Sequence, residues 1–308
     1  MRILRAILLP VSIGLGLLLP GAEILAWLLP WVLGVMVFFA FVGPNRASWR
    51  ISVWMLVRLL PAWLLLAPAA WLLSRLCWSS NLELAWAMFL VLIAPTGTAA
   101  PSVARMRGGN PSMVVSGVLV QHLAVGFLVP LWVAILGHLP ASATMSDMGA
   151  WDIPSRILFG TLPLILIPLA LAWLMRRLQP KFADSLAKFQ GLALILWACA
   201  VFLVVARTRA ALLLQLAGAN GWALWGPALG MAFVSLLLCL TQFALGRRLV
   251  HGRHAEEGAQ ILGQKNTILT IWIAGSWFGP WVSLAPLFYV LWQNLYIAWL
   301  TMRPDVQE

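Results

Sequence analysis

Ten apolar segments, a near-equal division at their midpoint, and polar interruptions at matching places predict an all-α polytopic membrane protein. Ten transmembrane helices would form two inverted five-helix repeats, with broken helices four and nine crossing. Composition sets the class: 62% of the 308 residues are hydrophobic and only 9% charged, which excludes an ordinary soluble domain.

The spans run roughly over 4–20, 24–44, 52–74, 82–107, 111–137, 154–177, 185–206, 219–246, 255–276 and 280–301. Short links rich in Gly, Pro, Asn or charge separate them, including 44–50 and 179–181. The first segment follows Arg2 and Arg5, shows no evident cleavage site, and reads as a retained helix. The longest link, 139–153, divides one membrane unit, 1–308, into two halves, 1–137 and 154–301. Five spans per half is an odd number, so the second half enters the membrane with the opposite orientation, as an inverted repeat requires.

The formal charge of +11 is explained by topology rather than by nucleic acid. With the N-terminus in the cytoplasm, fifteen Lys and Arg residues fall at inner ends, and only Arg75, Arg156, Arg207 and Arg209 at outer ends. That bias places both termini in the cytoplasm and the protein in a cell membrane, on this reading a bacterial inner membrane. Trp31, Trp78, Trp151 and Trp222 fit interfacial anchoring, whereas Trp54 and Trp63 fit packing equally well. Cys77, Cys199 and Cys239 have no metal or redox spacing and read as small packing residues.

Lys265 is the one Lys or Arg left outside both sets, and the exceptional one. It sits in Gly263-Gln264-Lys265-Asn266-Thr267, inside span nine, while all nine Asp and Glu residues fall in or near segment ends. A lone ammonium at that depth is costly, so it should face an internal cavity matched by dipoles, polar groups or an anion. Span four is interrupted in its turn by Pro95-Thr96-Gly97-Thr98-Ala99-Ala100-Pro101-Ser102. Pro95 and Pro101 lack amide donors and Gly97 tolerates a bend, so backbone opened there needs internal partners. Both interruptions fall in the fourth helix of their half. That match points to paired discontinuous helices, whose amide ends favour an anion and whose carbonyl ends favour a cation. Pro95, Gly97, Pro101 and Gly263 are the expected break residues.

Pro95-Thr96-Gly97-Thr98-Ala99, then Gly109-Asn110, then Gly263-Gln264-Lys265-Asn266-Thr267 together resemble the bile acid:sodium symporter family, in a divergent bacterial-type form. The resemblance implies a core domain of spans three to five and eight to ten, and a panel domain of spans one, two, six and seven. It also implies alternating access, with substrate near the crossing of spans four and nine. The departures are specific. The family's Ser-Asn pair after Gly-Thr-Ala is replaced by Ala100 and Pro101, and its Glu-x-Gly-x-Gln-Asn element reads Ile261-Leu262-Gly263-Gln264-Lys265-Asn266. Glutamate is thus replaced by Ile261 and glutamine by Lys265. Two oxygen donors and a carboxylate are missing and a cation is added, so bound sodium in the usual two-site arrangement lacks its expected ligands. At about 5 Å two positive charges repel by about 3 kcal/mol in an effective dielectric near 20.

Three readings of Lys265 stay open: a permanently charged substitute for sodium, a residue that loses and regains a proton, and an interface or purely structural residue. Gln264, Asn266 and Thr267 are candidate site residues beside it, with helix capping as the alternative. Thr96 and Thr98 would contact substrate or satisfy exposed carbonyls, and Asn110 reads as a turn cap first. Gln121 and His122 enter the middle of span five, where polarity requires a partner. Gln242 and Gln293-Asn294 read as interhelical or backbone contacts.

No phosphate-binding, paired-histidine or two-carboxylate motif is present, so covalent catalysis, a metal site and a cofactor are not expected. The resulting expectation is a secondary transporter of a small organic anion, amphipathic or not, coupled to proton or sodium or to neither. A sodium symporter with a shifted ion site and a non-transporting membrane sensor or assembly protein are the alternatives. The partners are the anion and membrane lipid, not nucleic acid.

Overall fold

The computed structural model describes residues 2–42, 53–77, 81–137, 152–187, 189–216 and 222–302. The links at 44–50 and 139–151, with Trp78 and Trp151, lie outside these, as do Asp147, Lys188, Asp305 and Glu308. The described residues are helical apart from short connections. The helices are α1 (Arg2–Leu18), α2 (Leu29–Val42), α3 (Val53–Cys77), α4 (Leu82–Ile93), α5 (Ala100–Met106), α6 (Pro111–Leu136) and α7 (Asp152–Leu178). They continue with α8 (Pro180–Ala187), α9 (Gln190–Leu216), α10 (Trp222–Leu249), α11 (Ala255–Gly263), α12 (Thr267–Ile273) and α13 (Pro280–Met302).

Each expected span coincides with a helix or a pair of helices. Span two begins as a 3-10 turn, Ala22–Leu28, after Gly21 takes the left-handed φ of 84° that Pro20-Gly21 favours. Spans four and nine are each cut in two, into α4/α5 and α11/α12, and α12 runs on as a π-turn over Ala274–Phe278. Six described segments are long and apolar enough to cross a membrane: 22–42, α3, α6, α7, 195–214 and 226–249. The protein is a multi-pass membrane protein. The broken elements miss that length because neither half alone reaches it.

Two boundaries differ from expectation. The apolar pattern puts span seven at 185–206, but α9 continues to Leu216 through Arg207 and Arg209. Their charge reads as a segment end in the sequence. In the fold, Arg209 is neutralised by Glu23 at 3.1 Å and donates to the Leu17 carbonyl, while Arg207 donates to Ser276 and Gly275. The link after α7 contains a further short helix, α8, joined to α7 by the Arg176–Asp184 ion pair at 2.5 Å. Cys239 is buried, but Cys77 and Cys199 are exposed, so they are not packing residues.

Large apolar side chains are exposed in rows, among them Leu65, Phe159, Ile167, Leu171, Leu229, Phe233 and Leu237. In a chain that crosses membranes, such surface faces hydrocarbon. The centre is different: α11 from Glu257 to Gly263 and α12 from Thr267 to Ile273 are buried without interruption. Broken backbone at membrane depth survives only where protein surrounds it.

Helix packing falls into corresponding pairs. Helix α1 packs on α9 as α2 packs on α7, α3 on α4 as α10 on α11, and α5 on α6 as α12 on α13. Helix α4 likewise lies on α13 and α11 on α6. Helices α1, α2, α7 and α9 form one linked group, α1 on α9, α9 on α2 and α2 on α7. It meets the rest where α7 lies as extensively on α6 as on α2, and where α9 runs against α12 and α13.

Helices α10 and α11 approach closely at Gly246 and Gly258, where a Cβ on either would run into the other's backbone. Gly258→Val should therefore overpack the pair, costing about 1–3 kcal/mol. It should lower the apparent Tm of the detergent-solubilised protein by several degrees in a thermal size-exclusion assay. Gly230→Ala, on the same α10 but with open space around its Cβ, should leave the melting unchanged.

Candidate functional site

Helix α4 stops because Pro95 offers no N–H and forces Ala94 before it into extended geometry, φ −49° and ψ 135°. Helix α11 stops at Gly263, and Gln264 is likewise extended. The freed backbones meet each other. Gly97 N–H donates to the Gln264 carbonyl at 2.6 Å and Asn266 N–H to the Pro95 carbonyl at 2.7 Å, placing Thr96 opposite Lys265 in one antiparallel bridge. Gly97 suits this approach, since a Cβ there would stand 3.1 Å from the Lys265 carbonyl oxygen, a tight contact. Pro95, Gly97 and Gly263 thus mark the breaks. Pro101 does not, lying instead in the first turn of α5, where a missing N–H costs nothing.

Two glutamines close the outer edges of this bridge. Gln121 of α6 accepts from Thr96 N–H at 2.8 Å and from the Thr96 hydroxyl at 2.9 Å. Gln293 of α13 accepts from Lys265 N–H at 2.9 Å and donates back to the Lys265 carbonyl at 3.3 Å and the Thr267 hydroxyl at 3.4 Å. The expectation that Gln293 makes an interhelical or backbone contact understates it. It sits well inside α13 and is a principal partner of the second break. Nothing in the sequence pairs Gln293 with Lys265; only the equivalence of spans five and ten, with Gln121 already flagged, would have found it.

The Lys265 ammonium is buried and donates to the Leu92 and Ala94 carbonyls, both at 3.1 Å. These are carbonyls at the C-terminal end of α4, which lack intrahelical partners and carry partial negative charge. Trp63, fully buried, donates its indole N–H to the same Ala94 carbonyl at 3.2 Å. The end of α11 is treated in parallel: Ile261 carbonyl accepts from the Thr96 hydroxyl at 2.7 Å, and Gly263 carbonyl from the Tyr289 hydroxyl at 2.7 Å. The single Thr96 proton is therefore shared between Gln121 and Ile261. Among the described residues, no carboxylate pairs with Lys265. Glu23, Asp184 and Glu256 pair with Arg209, Arg176 and Arg247, and Glu257 with His254 and the Asn110 N–H.

Asn266 N-caps α12, its side-chain oxygen accepting from Leu269 N–H at 3.4 Å, and its amide meets His122 Nε2 at 2.9 Å. His122 Nδ1 faces the Val118 carbonyl at 2.8 Å, which can only accept. The Nδ1–H tautomer therefore satisfies both contacts, with Nε2 accepting from Asn266. Gln264 and Gln121 each keep one buried side-chain atom without a hydrogen bond, Oε1 and Nε2 respectively. The crossing thus gathers Thr96, Gln121, His122, Gln264, Lys265, Asn266 and Thr267. Thr98 lies half-buried next to it. Asn110 is not brought there: exposed at the turn between α5 and α6, it caps α6 through Ser112 N–H at 3.0 Å. Ala100 and Pro101 begin α5, and the Ile261 side chain packs against Gly117 of α6.

Crossed half-helices at the centre of a helical membrane protein are the architecture of secondary transporters. The family model for the sodium bile acid symporter family matches residues 25–215, more than half of the chain. The chain belongs to that family. The match takes in α2 to α9, including the first break, and stops before α10; the place of the second break in this symporter fold rests on its bridge to the first. No curated protein matches the chain.

Gln293→Leu removes the partner of the Lys265 N–H, and each buried group so orphaned costs about 1–3 kcal/mol. The variant should melt several degrees below wild type. Asn294→Leu, one residue away and bonded only to the Val290 carbonyl of its own helix, should lose much less in the same thermal assay.

Proposed function

We propose that the protein is a secondary transporter of a small organic anion that works by alternating access, with the Lys265 ammonium standing where the family's coupling cation would act. The supporting observation is the placement of Lys265 Nζ on the Leu92 and Ala94 carbonyls. A half-helix carbonyl end favours a cation, and here the cation is covalently attached. A neutral amine would leave that end without a countercharge, which favours a fixed charge over a proton-exchanging one. Ala100, Pro101 and Ile261 supply no side-chain oxygen, so bound sodium is not part of this reading.

The corresponding packing pairs support two inverted five-helix repeats, 1–137 and 154–301. The grouping of α1, α2, α7 and α9 supports a panel that moves against a core of α3–α6 and α10–α13. Charge asymmetry supports an inner-membrane orientation with both termini in the cytoplasm. The substrate would bind where panel and core meet, beside Thr98 and the crossing, within reach of the Lys265 charge.

Purified protein in liposomes, with imposed sodium or proton gradients, tests this with labelled cholate and a set of labelled small carboxylates. Uptake should occur without sodium and without a proton gradient, and Lys265→Met should reduce it at least tenfold. Sodium-driven uptake unchanged in Lys265→Met would overturn the assignment of Lys265. A pH response that vanishes in that variant would make the lysine a proton carrier instead. Binding with no uptake under either gradient would indicate a non-transporting sensor.

A further inference from the structure

Arg207 is a second cation that the crossing does not use. It lies in α9 at the end of the molecule away from Arg107, which reaches the Leu300 carbonyl at the far end of α13. A small cleft there separates α2 and α9 from α12 and α13, lined by Leu29, Arg207, Thr208, Trp272, Pro280 and Ser283 among others. Arg207 is the sole charged residue of its lining. Its guanidinium reaches Ser276 Oγ and the Gly275 carbonyl, both at 3.3 Å, long for N–H···O bonds. Among the described residues it has no carboxylate partner, whereas Arg209, two residues on, is neutralised by Glu23. Thr208 and Ser283 add two hydroxyls 3.5 Å apart, and α13 starts at Pro280 on the same wall. The remaining walls are apolar.

We propose that Arg207 forms an anion-recruiting station in the seam between the two helix groups, taking the carboxylate of an organic anion whose apolar part lies on Trp272, Leu29 and Pro280. A guanidinium presents a planar fork that matches a carboxylate in two parallel bonds. Its two long contacts to Ser276 and Gly275 are the ones the carboxylate replaces. The cavity volume is about 20 Å³, space for roughly one water, so the anion enters only when α2 and α9 part from α12 and α13. The site stands on its own geometry; only its place on a transport route rests on the function proposed above.

The test is arginine labelling by phenylglyoxal on the full-length protein in lipid nanodiscs, followed by peptide mass spectrometry, with benzoate as probe. Benzoate should slow labelling of Arg207 at least threefold and leave Arg209 unchanged, while neutral benzamide has no effect. No protection by benzoate, equal protection by benzamide, or equal protection by inorganic phosphate would overturn the proposal. So would an Arg207 that the reagent does not reach without benzoate. In the liposome assay, Arg207→Gln should raise KM at least tenfold with the maximal rate retained, and Arg207→Lys should fall between it and wild type. Protection without uptake would refute transport and leave the station standing, and uptake without protection would do the reverse.

Discussion

Backbone released from a helix inside an apolar environment has to find every partner within the protein, and this requirement organises the centre of the molecule. Two chains of α-helix are broken where water cannot complete them, and each break supplies what the other lacks. Gly97 and Asn266 donate across to Gln264 and Pro95, which turns two unsatisfied segments into a minimal antiparallel pair. Gln121 and Gln293 then complete the sides that the pair leaves open. The uninterrupted burial of α11 and α12 follows from this, because lipid cannot substitute for any of these contacts.

The ends of the half-helices pose an electrostatic problem as well as a hydrogen-bonding one. At α11 the carbonyl end is met by neutral hydroxyls from Thr96 and Tyr289. At α4 the same positions are met by the Trp63 indole and the Lys265 ammonium. One end therefore meets a basic group and its counterpart none. Two helix ends that meet in one antiparallel bridge thereby differ in the side chains that satisfy them. The basic group lies beside a carbonyl helix end, the kind of end that favours a cation.

His122 and Asn266 illustrate how little freedom remains beside Lys265. The Asn266 side chain both caps α12 and meets the imidazole, and the imidazole is fixed in turn by the Val118 carbonyl. Polar side chains at the crossing are thus engaged mainly in holding backbone and one another. Two buried side-chain atoms there, Gln121 Nε2 and Gln264 Oε1, make no hydrogen bond.

The amino-acid sequence alone determined the class, the helical segments and the two breaks, because hydropathy, proline and glycine act locally and leave their mark in consecutive residues. It also marked Lys265, since a charge amid apolar residues is conspicuous wherever it points. It misread the end of α9, since Arg207 and Arg209 look like a helix terminus until Glu23 and the 275–276 carbonyl and hydroxyl are brought to them. The roles of Gln293, Trp63 and Tyr289 were likewise invisible, as was the separation of Asn110 from the crossing. Only the tertiary structure decided which carbonyls receive the ammonium and which glutamine holds each break. Those partners lie from 25 to 173 residues apart in the chain, and no local pattern encodes a contact made by folding over that distance.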